Sequence, residues 1–129
     1  MARPAPELRN PDAKGRKLAT EFVTIVQDRD IDELGAFLDP AFQIQRADGS
    51  GGNRKEYLAR PTTIDTFELG PTVHAVQDGD LLTVRWSLKI SETIKNEQYS
   101  EAEAPRLSVF RWDGRRWRLA AHANFNVPA

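Results

Sequence analysis

His122, Asn124 and Asn126 alternate in the last apolar run of the chain, Trp117 to Asn126. Alternate residues of a strand share a face, so an imidazole would stand beside two carboxamides. Trp117, Leu119, Ala121, Ala123 and Phe125 would occupy the opposite face. A neutral imidazole in that setting can act as a general base or hold a carbonyl group. The alternative is that this face is partly solvated or meets a partner subunit. That structural reading weighs more, because the sequence identifies no carboxylate to pair with the ring. Tyr57 adds a phenolic hydroxyl if it reaches the same space, and Gln43 or Gln45 could orient a ligand. His74, between Val73 and Ala75, reads as structural.

Other arrangements fail on physical grounds. Asp28, Asp30, Asp32 and Asp39 imitate a calcium loop, but the sixth position holds Glu33 instead of the glycine that the sharp turn needs. Helix caps explain the same residues, so no metal site is expected. No cysteine is present, which excludes a disulfide scaffold, a zinc finger and a thiol nucleophile. Arg111, Arg115, Arg116 and Arg118 with Trp112 and Trp117 resemble a nucleic-acid strip, yet their turn position suits a guarded hairpin edge. With 18 Lys and Arg against 19 Asp and Glu, the chain lacks the field of a dedicated nucleic-acid binder. Gly49-Ser50-Gly51-Gly52 carries neither the Lys-Ser/Thr of a phosphate loop nor a βαβ unit around it. No cofactor, nucleic acid or membrane partner is therefore expected. No apolar run follows the charged N-terminal residues, so neither a signal peptide nor a membrane span is expected. A soluble, cytoplasmic protein is the expectation.

The elements that must position these groups follow from periodicity. Residues 1–9, with Pro4 and Pro6, read as a loose tail before a single domain over 10–129. Asn10-Pro11 opens a helix, and Leu18, Phe22, Ile25 and Val26 give it one apolar stripe near 11–28. Asp30 and Glu33 cap a second helix near 31–38, which Pro40 ends. Asn53 and Glu56 repeat the capping pair for a third, near 54–60. Phe42 to Gln45 alternates as a strand, and residues 48–52 read as a flexible loop. Later the period is two. Val73 to Gln77 is a strand, Asp78-Gly79 is a turn, and Leu82, Val84, Trp86, Leu88 and Ile90 form one buried face of a long strand, alternating with Thr83, Arg85, Ser87, Lys89 and Ser91. Residues 95–105 read as a polar connection, and Leu107 to Asn126 as a hairpin turning at Asp113-Gly114. Early helices and a late meander predict an α+β fold, with helices on one face of a curved, mostly antiparallel sheet. Phe110, Trp112 and part of the last strand would then leave a mixed patch on the uncovered face. Such a patch predicts a homodimer paired through the sheet.

Residues 27–49, QDRDIDELGAFLDPAFQIQRADG, and 107–125, LSVFRWDGRRWRLAAHANF, resemble the NTF2-like superfamily of cystatin-like, cone-shaped domains, in its SnoaL-like and DUF4440-like branches. Asp30-Ile31-Asp32 matches the step between the family's helices, and Asp113 to Trp117 its terminal turn. The resemblance implies a cone with a pocket between helices and sheet. Phe22, Val26, Phe37, Phe42 and Trp86 would line it, with Tyr57, His122 and Asn124 as the groups for any catalysis. A small apolar or mixed-polarity organic molecule is the implied partner. The implied function is binding of that molecule, with a cofactor-independent lyase, isomerase or cyclase as its enzymatic form. The alternative is a non-catalytic binding or assembly module, since this fold hosts both. Ketosteroid-isomerase-like members use a buried tyrosine and aspartates, and here the first helix carries no tyrosine. Asp28-Arg29-Asp30 has the letters of an epoxide-hydrolase centre but falls at a helix end.

Overall fold

The computed structural model describes residues 2–129, with Thr93 described by its backbone alone. The first helix, α1 (Pro11–Asp28), starts where Asn10 accepts a hydrogen bond from the Ala13 N–H at 3.1 Å, with proline in its first turn. It ends at Arg29, whose φ of 55° is left-handed. Leu18, Ala19, Phe22, Val23 and Val26 form its buried face. Gly15 is buried too, and a Cβ there would meet Val84 at 3.0 Å, so the glycine lets the helix approach the sheet closely. The second helix, α2 (Ile31–Phe37), is capped by Asp30, and α3 (Arg54–Ala59) has a complete Asn53–Glu56 capping box.

Among the described residues, nine strands follow or interleave these helices: β1 (Leu38–Gln45), β2 (Gly51–Asn53), β3 (Phe67–Leu69), β4 (His74–Asp78), β5 (Leu81–Ile90), β6 (Thr93–Ile94), β7 (Glu97–Gln98), β8 (Ala104–Trp112) and β9 (Trp117–Asn124). The main sheet runs β2-β1-β9-β8-β5-β3, with β4 also on β5. Among the described residues, β1 and β9 alone pair in parallel; the other pairs are antiparallel. The fold is α+β, with the helices against one face of a curved, open sheet. No helix among the described residues is long and apolar enough to cross a membrane.

Four local expectations are corrected. Gly51 and Gly52, read as part of a flexible loop, pair with β1 together with Asn53, because the bonds between the two backbones need nothing from glycine side chains. The long strand ends at Ile90, just beyond Leu88, the last β5 residue that β8 pairs. The chain then makes the small β6–β7 hairpin over Lys95 and Asn96, both at positive φ. The stretch read as a polar connection, 95–105, therefore holds the turn and second strand of that hairpin, a buried Tyr99 and the start of β8. Phe110 and Trp112 face the helices and not the open side. Register decides this: Phe110 lies opposite Leu82, and directly opposed residues share a face. Phe110 is fully buried, and the exposed face of β8 carries Leu107 and Arg111. Residues 2–9 hold neither helix nor strand, but they are tied down. The Arg3 N–H donates to the Gly114 carbonyl at 3.0 Å, and the Trp112 indole donates to the Arg3 carbonyl at 2.8 Å.

Candidate functional site

Between α1, α3 and the inner sheet face lies a cavity of about 440 Å³. Its position follows from β9, which does not alternate strictly. The β8–β9 register shifts between Val109 and Phe110, so that Leu119 faces Phe110, Ala121 faces Val109, and Ala120 is the extra residue. One extra residue reverses the parity of everything after it. Trp117 and Leu119 point inward before this bulge, and His122 and Asn124 point inward after it. The expected opposition of His122 and Asn124 to the Trp117–Leu119 row is therefore corrected. Both groups share the helix-facing side, and Phe125 is exposed.

Inside, these side chains meet groups from three other segments. The Trp86 indole donates to the Ser108 Oγ at 3.0 Å, and the same oxygen lies 2.9 Å from His122 Nδ1. Arg106 Nη1 lies 3.4 Å from His122 Nε2. A guanidinium can only donate, so Nε2 carries the lone pair and Nδ1 the proton. Burial, and then the Arg106 charge, hold the His122 pKa well below the usual histidine value, so the ring is neutral. Behind it, Glu92 Oε2 accepts from Asn126 Nδ2 at 2.6 Å, and Oε1 accepts from Asn124 Nδ2 at 3.1 Å. Arg106 Nη2 donates to Glu92 at 3.5 Å, a long contact. Glu92, Arg106, Ser108, His122, Asn124 and Asn126 are all at least nine-tenths buried. Tyr57 reaches the cavity from α3 and donates to Thr62 Oγ1 at 3.3 Å; burial raises its pKa.

Of the residues expected at a pocket, Phe22, Val26, Tyr57, Trp86, His122 and Asn124 line this cavity together. Phe37 and Phe42 do not. Phe37 packs into the closed end, its ring 6.1 Å from Phe110, and Phe42 lies behind Tyr57 at 5.5 Å. Gln43 and Gln45 are exposed on the opposite sheet face, as the alternation with Phe42 and Ile44 requires, so they cannot orient a ligand in the cavity. Asp30 is spent on its helix cap, and Asp39 pairs with Arg111. Among the described residues no three His, Asp, Glu or Cys side chains converge as a metal site.

Sequence reasoning missed Glu92 and Arg106. The signal for Glu92 was available, because it keeps the parity of Leu82 to Ile90 beyond the strand's end. Arg106 shares parity with Ser108 and Phe110, but Leu107 and Val109 made either face of β8 look apolar.

Comparison with known proteins places this architecture. No family model and no curated protein matches the chain. Solved structures do. An NTF2-like protein from Cytophaga hutchinsonii superposes with a TM-score of 0.76 at 14% identity, over 92% of this chain and 99% of that one. An NTF2-like protein with a cystatin-like fold from Novosphingobium aromaticivorans gives 0.61 at 15% identity, over 88% and 80%. A candidate ketosteroid isomerase from Shewanella frigidimarina gives 0.66 at 14%, over 89% and 97%. At such identities the likeness speaks for fold, and the fold of this chain is NTF2-like.

Proposed function

We propose that the protein binds a small organic molecule in the cavity between α1, α3 and the sheet. The observation that carries this is the cavity's two-sided lining. Phe22, Val23, Val26, Leu88 and Ile90 offer an apolar wall, while Arg106, His122 and Asn124 supply convergent polar groups. Small-molecule sites have this character, in volumes of roughly 300–1,000 Å³. A purely structural module would be expected to fill the space with its own side chains.

Binding is a better reading than acid–base catalysis. Both ring nitrogens of His122 are engaged, and burial beside Arg106 weakens it as a base. Glu92 is the carboxylate that the sequence did not identify, but Asn124, Asn126 and Arg106 all donate to it. Its two oxygens are thus already occupied by protein donors. The Tyr57 hydroxyl is held by Thr62. A lyase, isomerase or cyclase would need one of these groups freed on binding.

The test is a screen of small aromatic and alicyclic compounds by protein NMR. Shifts confined to the Trp86 indole N–H and the Phe22, Val26 and Leu88 signals are expected. No shifts, or shifts confined to the outer sheet face, would contradict the proposal.

The outer face supports a second element of the reading, pairing of two copies through the sheet. Its apolar residues are Leu107 and Val109 of β8, Ala121 and Ala123 of β9, and the exposed Phe125, not Phe110 and Trp112. A two-fold contact would cover this strip on both copies at once. Light scattering at micromolar concentration is expected to give the dimer mass, and a monomer mass unchanged on tenfold concentration would contradict it.

A further inference from the structure

We propose that the cavity selects molecules carrying one carboxylate on an apolar body, and that Arg106 receives the carboxylate. This inference rests on the cavity being a binding site. Among the described residues, four cationic side chains, Arg46, Arg60, Lys95 and Arg106, line the cavity with a single carboxylate, Glu92. Lys95 is paired with Asp48 at 3.5 Å, whereas Arg46 and Arg60 have no carboxylate partner among the described residues. The wall is therefore net positive in a chain of net charge −1.

Arg106 is the decisive group. It is 7% exposed, yet its side-chain contacts are long, 3.4 Å to His122 and 3.5 Å to Glu92. Its Nε has no hydrogen-bond partner among the described residues. A buried guanidinium normally satisfies its five N–H groups, because each unmet donor costs free energy. The Glu92 charge does not meet that need, since its shortest contact, 2.6 Å, is to Asn126. A planar fork of this kind matches a carboxylate with two parallel hydrogen bonds. Glu92 also sets the charge the site accepts. The net positive wall attracts an anion, while at Arg106 itself the neighbouring Glu92 carboxylate opposes the second charge of a phosphate-like dianion. The apolar body would then lie on Phe22, Val26, Trp86 and Leu88.

The experiment measures affinities of benzoate, phenylacetate and cyclohexanecarboxylate, each beside its primary amide and its phosphonate, by NMR titration. In the wild-type protein at least one acid is expected to bind tenfold or more tightly than its amide and its phosphonate. In Arg106→Gln that acid-over-amide ratio is expected to fall towards one, while the amide's own affinity stays within a fewfold. Arg60→Gln, at the exposed rim, is expected to lower acid affinity by a smaller factor and provides a variant that leaves the buried network intact. Amides or phosphonates binding as tightly as acids to the wild type would overturn the carboxylate inference and leave the cavity reading standing. Binding of none of the compounds would overturn both.

Discussion

The two halves of β9 behave differently although they belong to one strand. Before Ala120 it contributes Trp117 and Leu119 to a filled end, where Phe37 stacks with Phe22 and meets the edge of Phe110. After Ala120 it contributes His122 and Asn124 to an end where the core gives way to a cavity and a buried polar network. The same inward direction thus serves solid packing at one end and polar chemistry at the other, and a single bulge lets one strand do both.

Truncation should separate the two ends most clearly. Phe110→Ala opens a void among close-packed rings and is expected to cost about 3–5 kcal/mol in urea denaturation. Leu88→Ala enlarges a space already present and should fall near the low end of its class, about 2 kcal/mol. Equal losses would erase the distinction between a filled and an open end.

Glu92→Ala attacks the open end through charge. It removes the acceptor shared by Asn124, Asn126 and Arg106 and leaves a buried guanidinium without its counter-charge. A loss of about 3 kcal/mol is expected, measured by the same denaturation. A neutral result would mean that solvent already carries the charge of Arg106.

How much of this was legible in the sequence depends on the kind of signal. Helix ends were readable because Asn10, Asp30 and Asn53 announce them by capping, a local interaction. The inward row Leu82 to Ile90 was readable because β5 alternates without interruption. The faces of His122 and Asn124 were not, since nothing in the run Leu119-Ala120-Ala121-His122 marks a bulge. The irregularity is fixed by pairing with β8 and by β1, whose register slips between Leu38 and Gln43 at the same level. Parity within β8 was likewise open until β5 set it. Arg106 and Glu92, 14 residues apart, meet only through tertiary structure.

At the level of the bulge, Asp39 provides a smaller test. Its buried carboxylate takes two hydrogen bonds from Arg111, at 2.7 and 3.0 Å, and one from the Ala41 N–H at 2.8 Å. Arg111 is half exposed, so water screens part of the pair. Asp39→Asn is expected to lose about 1–2 kcal/mol, read from the denaturation midpoint. No loss would show that the irregular stretch of β1 holds without this pair.

Acidity should weaken the open end by a smaller amount per step. Burial and Arg106 hold native His122 below the ordinary histidine value of 6.5, so on acidification the unfolded chain takes up that proton first. Stability is then lost as pH falls below about 6.5, by at most about 1.4 kcal/mol per pH unit, until the native ring also titrates. His122→Gln should remove this component of the slope. An unchanged slope would mean that the native and unfolded chains protonate His122 alike.

The most direct measurement is the nitrogen NMR of the His122 ring, recorded in a His74→Asn protein so that one imidazole remains. An inward His122 that receives Arg106 at Nε2 and donates through Nδ1 must be neutral, with its proton on Nδ1. It must stay so as the pH is taken below 6.5. A ring that titrates at the ordinary histidine value, or that carries its proton on Nε2, would contradict the inward turn after Ala120 and the network built on it.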